Sequence, residues 1–145
     1  MKLLVFGKTG QVAQELARRV PDAIFLGRDE ADLSDPATCA AAVARADVDA
    51  VINAAAWTAV DKAETEEAAA TIVNGDAPAA MARAAAARGM PFLHISTDYV
   101  FDGTGHQPFT PDHPTAPVNA YGRSKLAGEV GVRAAGGNHL ILRTS

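Results

Sequence analysis

The sequence predicts an α/β domain built on a doubly wound parallel sheet, and three observations lead to this fold class. Short apolar runs alternate along the chain with Ala-rich stretches that favour helices. The apolar runs are nearly continuous, as is typical of strands covered on both faces. With 145 residues, 48% of them hydrophobic, the chain is long enough for one domain with its own core.

The predicted elements follow one another in a β-α-β order, which favours parallel strands joined by right-handed crossovers. Strands are expected at Lys2–Phe6, Ala23–Leu26, Ala50–Asn53, Phe92–Ser96 and His139–Arg143, with a shorter one at Ala31–Leu33. Helices are expected at Gln11–Arg19, Pro36–Arg45, Glu66–Ile72, Pro78–Arg88 and Asn119–Ala134. Residues 102–118 contain four prolines and two glycines and have no periodicity. We expect a functional loop there, since long loops are uncommon in compact domains.

Composition and charge argue against several classes of protein. A net charge of −4 without any basic block disfavours nucleic acid as a partner. No apolar run approaches the roughly 18 residues of a membrane span, and the one at Leu3–Phe6 is too short for a signal peptide. We therefore expect a cytoplasmic protein without a membrane partner. The single cysteine, Cys39, lies in an Ala-rich helical stretch, which predicts a buried, unreactive thiol.

A glycine-containing turn follows the first predicted strand and opens the first helix. Its sequence is GKTGQVA. Gly7 permits a tight turn, and Gly10 lets backbone N–H groups at the helix N-terminus approach a pyrophosphate. Ala13 is small enough for the helix to pack closely on the strand. Glycine turns occur in many βα units, but the position at the first one indicates a Rossmann-type dinucleotide-binding domain.

The end of the second strand bears on the choice of cofactor. Arg28 would suit the 2′-phosphate of NADP, and Asp29 would suit the 2′-hydroxyl of NAD. Because Arg28 comes first, we favour NADPH, with NADH as the alternative. A solvated Arg–Asp pair without a function is the competing interpretation. Asp32 and Leu33 follow, at a place where an adenine could rest.

Three further segments carry candidate chemistry. Tyr121 and Lys125 are four residues apart, so they share one face of a helix. A nearby ammonium lowers the pKa of a phenol and makes it a tunable proton donor, although any helix can hold this pair. Thr97 ends a buried strand, where ligands bind in open α/β sheets, and its hydroxyl could hold a substrate oxygen. The small residues Ala54–Ala56 end the central strand and would let a cofactor lie against the backbone.

The remaining polar clusters have simpler interpretations. We interpret the histidines as core or surface residues, because their placement does not suggest a metal site. The acidic side chains near one helix start are interpreted as a solvated face; they are Asp61, Glu64, Glu66 and Glu67.

Taken together, the motifs resemble the extended short-chain dehydrogenase/reductase family and, within it, the dTDP-4-dehydrorhamnose reductases. The matching phrases span the chain: GKTGQV, NAAAWTAVDKAE, STDYVFDG, YGRSKLAGE and LILRTS, of which STDYVFDG with YGRSK is the most specific combination. The resemblance implies that Thr97, Tyr121 and Lys125 are catalytic and that Thr97 and Asp98 contact the sugar. It also implies a cofactor site lined by Gly7, Gly10, Gln11, Val12, Asp32, Leu33, Ala54, Ala55 and Ala56, beside Tyr121 and Lys125. Two departures are Ala13, in place of the usual third glycine, and Trp57, where His or Tyr is common.

The implied activity is NAD(P)H-dependent reduction of dTDP-4-dehydro-L-rhamnose to dTDP-L-rhamnose. Tyr121 would protonate the forming alkoxide, Lys125 would hold the nicotinamide ribose and lower the pKa of Tyr121, and Thr97 would fix the carbonyl oxygen. Family members are much longer and carry a C-terminal substrate domain. We therefore expect residues 1–145 to be a dinucleotide-binding domain, incomplete at its C-terminal end and inactive alone.

Some members of the family form dimers with a bridging Mg²⁺ ion, and Glu15 matches the acidic position at which such a site would start. The resemblance thus allows a homodimer of the full-length protein and a Mg²⁺ site, although a solvent-facing Glu15 is the simpler interpretation.

Two other functions stay open. The first is another nucleotide-sugar epimerase or dehydratase of the same family; a dehydratase would want an acid beside Thr97, which Asp98 fits loosely. The second is a non-catalytic regulatory subunit that binds the cofactor. Loss of the Tyr–Lys pair would favour that role, and here Tyr121 and Lys125 are both present, so we favour the reductase.

Overall fold

The computed structural model describes residues 1–145 and contains one sheet of five parallel strands in the order β2-β1-β3-β4-β5. The strands are β1 (Leu3–Phe6), β2 (Ile24–Leu26), β3 (Ala50–Asn53), β4 (Phe92–Thr97) and β5 (His139–Thr144). From β1 the chain moves to one edge of the sheet and then returns to the other side of β1. Ligands bind in open α/β sheets beside such a reversal, at the carboxyl ends of the strands. The predicted doubly wound, Rossmann-type fold is confirmed.

Six α-helices connect the strands. They are α1 (Gln11–Arg19), α2 (Pro36–Arg45), α3 (Val60–Ala63), α4 (Glu67–Thr71), α5 (Ala77–Ala87) and α6 (Ala120–Ala134). A π-helical turn, Ile72–Asp76, joins α4 to α5, and a 3₁₀ turn, Asp98–Val100, follows β4. The bounds predicted for α1 and α2 are confirmed, and those for α5 and α6 are confirmed to within one residue. Helix α3 was not predicted.

The short strand predicted at Ala31–Leu33 is wrong. The backbone turns there instead, because the Ala31 N–H donates to the Gly27 carbonyl at 2.9 Å and the Asp35 N–H donates to the Asp32 carbonyl at 2.9 Å. Ala31 and Leu33 are buried, so their apolar character serves the core without a strand. The Asp35 carboxylate then caps the start of α2.

Small residues let the helices pack closely. A Cβ atom added to Gly131 of α6 would lie 2.5 Å from the Cβ of Ala79 in α5. The main core also buries Cys39, and this burial raises the pKa of its thiol to about 11, in line with the predicted unreactive residue. No helix has the length and apolar character needed to cross a membrane.

A buried carboxylate ties β4, β5 and α6 together. Glu129 of α6 is fully buried and accepts hydrogen bonds from Ser96 Oγ at 2.7 Å and from Arg143 Nε and Nη2 at 2.8 and 2.7 Å. Arg133 Nη2 donates to it from 3.1 Å. Arg143 also donates to the Pro111 carbonyl at 2.9 Å, within the irregular segment 102–118. The network therefore anchors that segment, which has no strand or helix, as predicted.

Glu129→Ala should lower the free energy of unfolding by roughly 3–5 kcal/mol, because it leaves Arg143 and Ser96 without their partner. Urea titration followed by circular dichroism measures the loss. Arg133→Ala is the matched control: Arg133 is 49% exposed, so its removal should cost less than about 1 kcal/mol. Equal losses would contradict a buried network centred on Glu129.

The same network should affect acid stability. Burial raises the pKa of Glu129, but hydrogen bonds from Arg143 and Ser96 outweigh it and hold the pKa below the usual 4.5. The stabilisation is thus present above the unfolded pKa and is lost as pH falls through the lower folded pKa. In Glu129→Ala, the free energy of unfolding should therefore fall less steeply as the pH is lowered through this range.

Candidate active site

The predicted site residues meet at a cleft over the carboxyl ends of β1, β3 and β4. This cleft has a volume of about 690 Å³, and its lining includes Gly7, Gly10, Gln11, Val12, Ala54, Ala55, Ala56, Thr97, Tyr121 and Lys125. A neighbouring cavity of about 440 Å³ is lined by Arg28, Asp32 and Leu33, and it shares Gly7, Lys8, Thr9, Ala55 and Ala56 with the cleft. The two spaces form a continuous surface along the glycine turn.

Two predicted residues do not line these two spaces. Asp98 lines a different cavity, of about 710 Å³, with Phe101 and Arg143. Glu15 lies on α1, where its carboxylate pairs with Arg18 and Arg19 at 3.1 and 2.7 Å. No group of three or more His, Cys, Asp or Glu side chains in the structure is placed to hold a metal ion.

The glycine turn has the geometry of an anion cradle. Gly7 adopts φ +116°, which favours glycine, and an added Cβ would lie 3.4 Å from the Ala54 carbonyl carbon. Gly10 occupies the N-cap of α1, and no side chain caps this helix. The first N–H groups of α1 are therefore left for another acceptor, and the helix dipole favours a negative one. These features fit a pyrophosphate.

The alanine wall opposite this turn is fixed by a buried polar pair. Asn53 Oδ1 accepts from the Ala55 N–H at 3.2 Å, and its Nδ2 lies 3.2 Å from His94 Nδ1. Burial lowers the pKa of His94 to about 3, and the charge of Lys125 adds to this effect. His94 is therefore neutral at physiological pH, and it positions Asn53 rather than exchanging protons.

Thr97, Tyr121 and Lys125 converge at the end of β4. Lys125 is 2% exposed and donates from Nζ to the Ile95 carbonyl at 2.7 Å. Burial lowers the pKa of Lys125 to about 8. Thr97 donates from Oγ1 to Asp98 Oδ1 at 3.2 Å and accepts from the Tyr99 N–H at 3.2 Å. The Tyr99 ring meets that of Tyr121 edge-to-face, with centroids 5.4 Å apart.

The pKa of Tyr121 is raised, although the sequence led us to expect a lowered one. Burial raises the pKa of this phenol, and a hydrogen-bonding contribution from Thr97 only partly opposes the shift. The ammonium of Lys125 donates to the Ile95 carbonyl, and both residues line the cleft. In this structure Tyr121 is thus a protonated phenol at neutral pH.

Two acidic residues hold the first turn of α6. Asp61, Glu64 and Glu66 are exposed, as expected for a solvated face, but Glu64 and Glu67 also bind this helix. Glu64 Oε1 accepts from the buried Ala120 N–H at 2.7 Å, across 56 residues of sequence. Glu67 accepts two bonds from Arg123, at 2.7 and 2.9 Å. Asn119 caps the same helix through the Gly122 N–H at 2.7 Å. These contacts fix the turn that carries Tyr121.

Asn74 is a positioning residue that sequence reasoning missed. It is 1% exposed, within the π-helical turn, and exchanges hydrogen bonds with the Trp57 backbone at 2.8 and 3.0 Å. Its Nδ2 also donates to Ser124 Oγ at 2.9 Å, next to Lys125. Asn74 therefore joins the segment after β3 to α6. The signal that could have identified Asn74 is a polar residue inside an Ala-rich helical stretch.

Lys8 was also missed, although it lies inside the glycine turn. It lines both the cleft and the neighbouring cavity and forms an ion pair with Glu30. The signal that could have identified Lys8 is its position, as a cationic side chain between two glycines of a predicted phosphate-binding turn.

Comparisons with known proteins give a consistent result. The family model described as the RmlD substrate binding domain matches residues 1–145. A dTDP-4-dehydrorhamnose reductase from Burkholderia thailandensis is 52% identical over 148 residues, covering 100% of this chain and 50% of that protein. The chain spans about half the length of the curated relatives it matches.

Solved structures agree. A dTDP-4-dehydrorhamnose reductase from Clostridium acetobutylicum matches with a TM-score of 0.93 and 34% identity, covering 100% of this chain and 53% of that one. A dTDP-4-dehydrorhamnose reductase from Bacillus anthracis, in complex with NADP, matches with a TM-score of 0.91 and 30% identity, covering 99% of this chain and 53% of that one.

Glu64→Ala should loosen the first turn of α6, because it leaves the Ala120 N–H without its acceptor. The expected loss is roughly 0.5–2 kcal/mol of unfolding free energy, the range for a lost helix cap. Amide hydrogen exchange at Ala120 should become faster, and Glu64→Gln, which keeps a side-chain oxygen, should restore most of the protection. Unchanged exchange in Glu64→Ala would mean that water or another group serves this N–H equally well.

Proposed function

This chain belongs to the family whose model is described as the RmlD substrate binding domain, and we propose that it binds NADPH or NADH and carries the catalytic groups of an oxidoreductase. The proposed reaction is the reduction of dTDP-4-dehydro-L-rhamnose to dTDP-L-rhamnose. One observation carries the proposal: Thr97, Tyr121 and Lys125 share a single cleft with the uncapped N-terminus of α1. The names of the relatives support this choice of substrate.

The cofactor would lie along the two adjoining cavities. The first N–H groups of α1 would hold its pyrophosphate, and the Ala54–Ala56 wall would allow close approach to the backbone. Arg28 and Asp32 line the second cavity, where the adenosine ribose is expected. When bound, the reduced nicotinamide supplies the hydride that a ketone needs.

Tyr121 would donate the proton. Burial raises the pKa of Tyr121, so the phenol carries its proton at neutral pH and is ready to give it to a substrate oxygen. Thr97 Oγ1 lies beside it and would hold the same oxygen. Once the phenol has donated its proton, it is a negatively charged phenolate. A nearby cation stabilises that phenolate.

Lys125 would be that cation. With a pKa of about 8 it is mostly protonated at pH 7. The Ile95 carbonyl accepts one hydrogen bond from the Lys125 ammonium, so the other ammonium N–H groups are free to donate to a ribose hydroxyl. Because the Lys125 side chain is buried, its ammonium is held in a fixed position beside the cleft.

The other predicted functions have less support. A dehydratase would use Asp98 as its acid. Asp98 contacts Thr97 at 3.2 Å, but it lines an adjoining cavity rather than the main cleft. A purely regulatory subunit would not need Tyr121 and Lys125 in this cleft. The Mg²⁺ site at Glu15, the homodimer and the cytoplasmic location stay predictions.

Gly10→Val should fold, because an added Cβ meets only the Ala54 carbonyl oxygen, at 4.0 Å. The valine would nevertheless fill the space proposed for the pyrophosphate. Fluorescence titration should show NADPH affinity lower by at least roughly tenfold, which is about 1.4 kcal/mol. Ala37→Val, on an exposed helix start outside both cavities, is the control. Equal affinities in Gly10→Val and wild type would reject this placement of the cofactor.

Tyr121→Phe keeps the ring but removes the proton. In any form of the protein that reduces dTDP-4-dehydro-L-rhamnose, kcat should fall by roughly 10²-fold or more, the scale of general acid catalysis. NADPH affinity should change little. Tyr99→Phe, which removes the neighbouring hydroxyl, should lose far less activity. A near-normal rate for Tyr121→Phe would assign the proton transfer to another group or to water.

A further inference from the structure

The turn after β2 concentrates charge beside the second cavity. It carries Arg28, Asp29, Glu30 and Asp32, and one cation from the glycine turn, Lys8, reaches it. Each cation already has a carboxylate partner. Lys8 pairs with Glu30, and Arg28 Nε lies 3.4 Å from Asp32 Oδ2.

Glu30 is held by a backbone N–H group and by Lys8 together. Its Oε2 accepts from the Gly27 N–H at 2.9 Å while it pairs with Lys8 Nζ. The Gly27 N–H and Lys8 hold the pKa of Glu30 below its usual value, so it is ionised at neutral pH. A Cβ added to Gly27 would lie 2.7 Å from Asp29 Oδ1 and 3.1 Å from Lys8 Cδ, so the stem of Lys8 is packed on this turn.

This arrangement bears on the two nicotinamide cofactors differently. In this fold the adenosine ribose lies at the end of the second strand, where NADP carries a 2′-phosphate and NAD a hydroxyl. A phosphate brings a charge of about −1.5 to −2 and needs free cations. Two cations here face three carboxylates, so a 2′-phosphate meets net negative charge. Neither cation is free to bind the phosphate unless it leaves its carboxylate.

Lys8 and Arg28 both line the second cavity, and Lys8 is the less exposed of the two. Its side chain is 43% exposed, whereas that of Arg28 is 80% exposed, so Lys8 loses less contact with water when it binds a phosphate. The availability of Lys8 depends on Glu30, its hydrogen-bonded partner.

We infer that Glu30 is a specificity-determining residue, which holds Lys8 in an ion pair and thereby lowers the preference of the site for NADPH over NADH. The inference rests on the proposed binding of a nicotinamide cofactor. It predicts that neutralising Glu30 frees Lys8 for the 2′-phosphate and removes a repelling charge, while the 2′-hydroxyl of NADH gains little.

The test is a fluorescence titration of the 145-residue chain with NADPH and with NADH. Glu30→Gln keeps an oxygen for the Gly27 N–H, so the turn should persist. The ratio of the NADH Kd to the NADPH Kd should rise by roughly two- to fivefold, the scale of one partly exposed ion pair. Glu66→Gln is the matched control, because it breaks another exposed Glu–Lys pair, with Lys62 at 3.3 Å, outside both cavities.

A second background tests the route through Lys8. In Lys8→Met, the change Glu30→Gln should no longer raise the ratio. A ratio that is unchanged by Glu30→Gln while both cofactors bind would overturn the inference, as would an equal rise in Glu66→Gln or a full rise in the Lys8→Met background. Failure of wild type to bind either cofactor would overturn the proposed function and this inference with it.

Discussion

The close approach of α6 to the end of β4 is the constraint on which the site depends. Side chains at successive turns of this helix reach the last three residues of the strand: Tyr121 lies beside Thr97, Lys125 bonds to the Ile95 carbonyl, and Glu129 bonds to Ser96. Glycines make close packing possible. A Cβ added to Gly122 would lie 2.2 Å from the carbonyl oxygen of Tyr99, just after β4, and one added to Gly128 would lie 2.2 Å from that of Asn74, in the π-helical turn. Larger residues would push the whole row of contacts away.

This packing buries two opposite charges on one helix, and the charge of Glu129 makes the burial of Lys125 less costly. Lys125 and Glu129 are both nearly or fully buried, one turn apart. Burial lowers the pKa of Lys125, whereas the charge of Glu129 raises it, so the ammonium form survives to a pKa of about 8. The Glu129 carboxylate is in turn stabilised by Arg143, Ser96 and Arg133. Stability and the proposed catalysis therefore depend on the same network, since loss of Glu129 would also leave the buried charge of Lys125 less compensated.

Local periodicity was enough to predict most elements, because a strand or helix is specified by neighbouring residues. The bounds of α1 and α2 and the glycine turn were predicted in this way. The error at Ala31–Leu33 has a physical origin: buried apolar residues need not be extended, and here turn hydrogen bonds to Gly27 and Asp32 satisfy the backbone. The contacts of Glu64 and Asn74 were not predicted because their partners lie far along the chain, and no local pattern encodes such contacts.

The raised pKa of Tyr121 differs from the sequence expectation, yet it suits a reductase. The alkoxide formed from a ketone is much more basic than a phenolate, so a phenol with a raised pKa still gives up its proton readily. What the site must then stabilise is the phenolate left behind in a half-buried place. Lys125 is the nearest buried cation on the same helix face, and its bond to Ile95 leaves ammonium protons uncommitted. Its contribution is therefore expected mainly after proton transfer begins, where differential stabilisation accelerates a reaction.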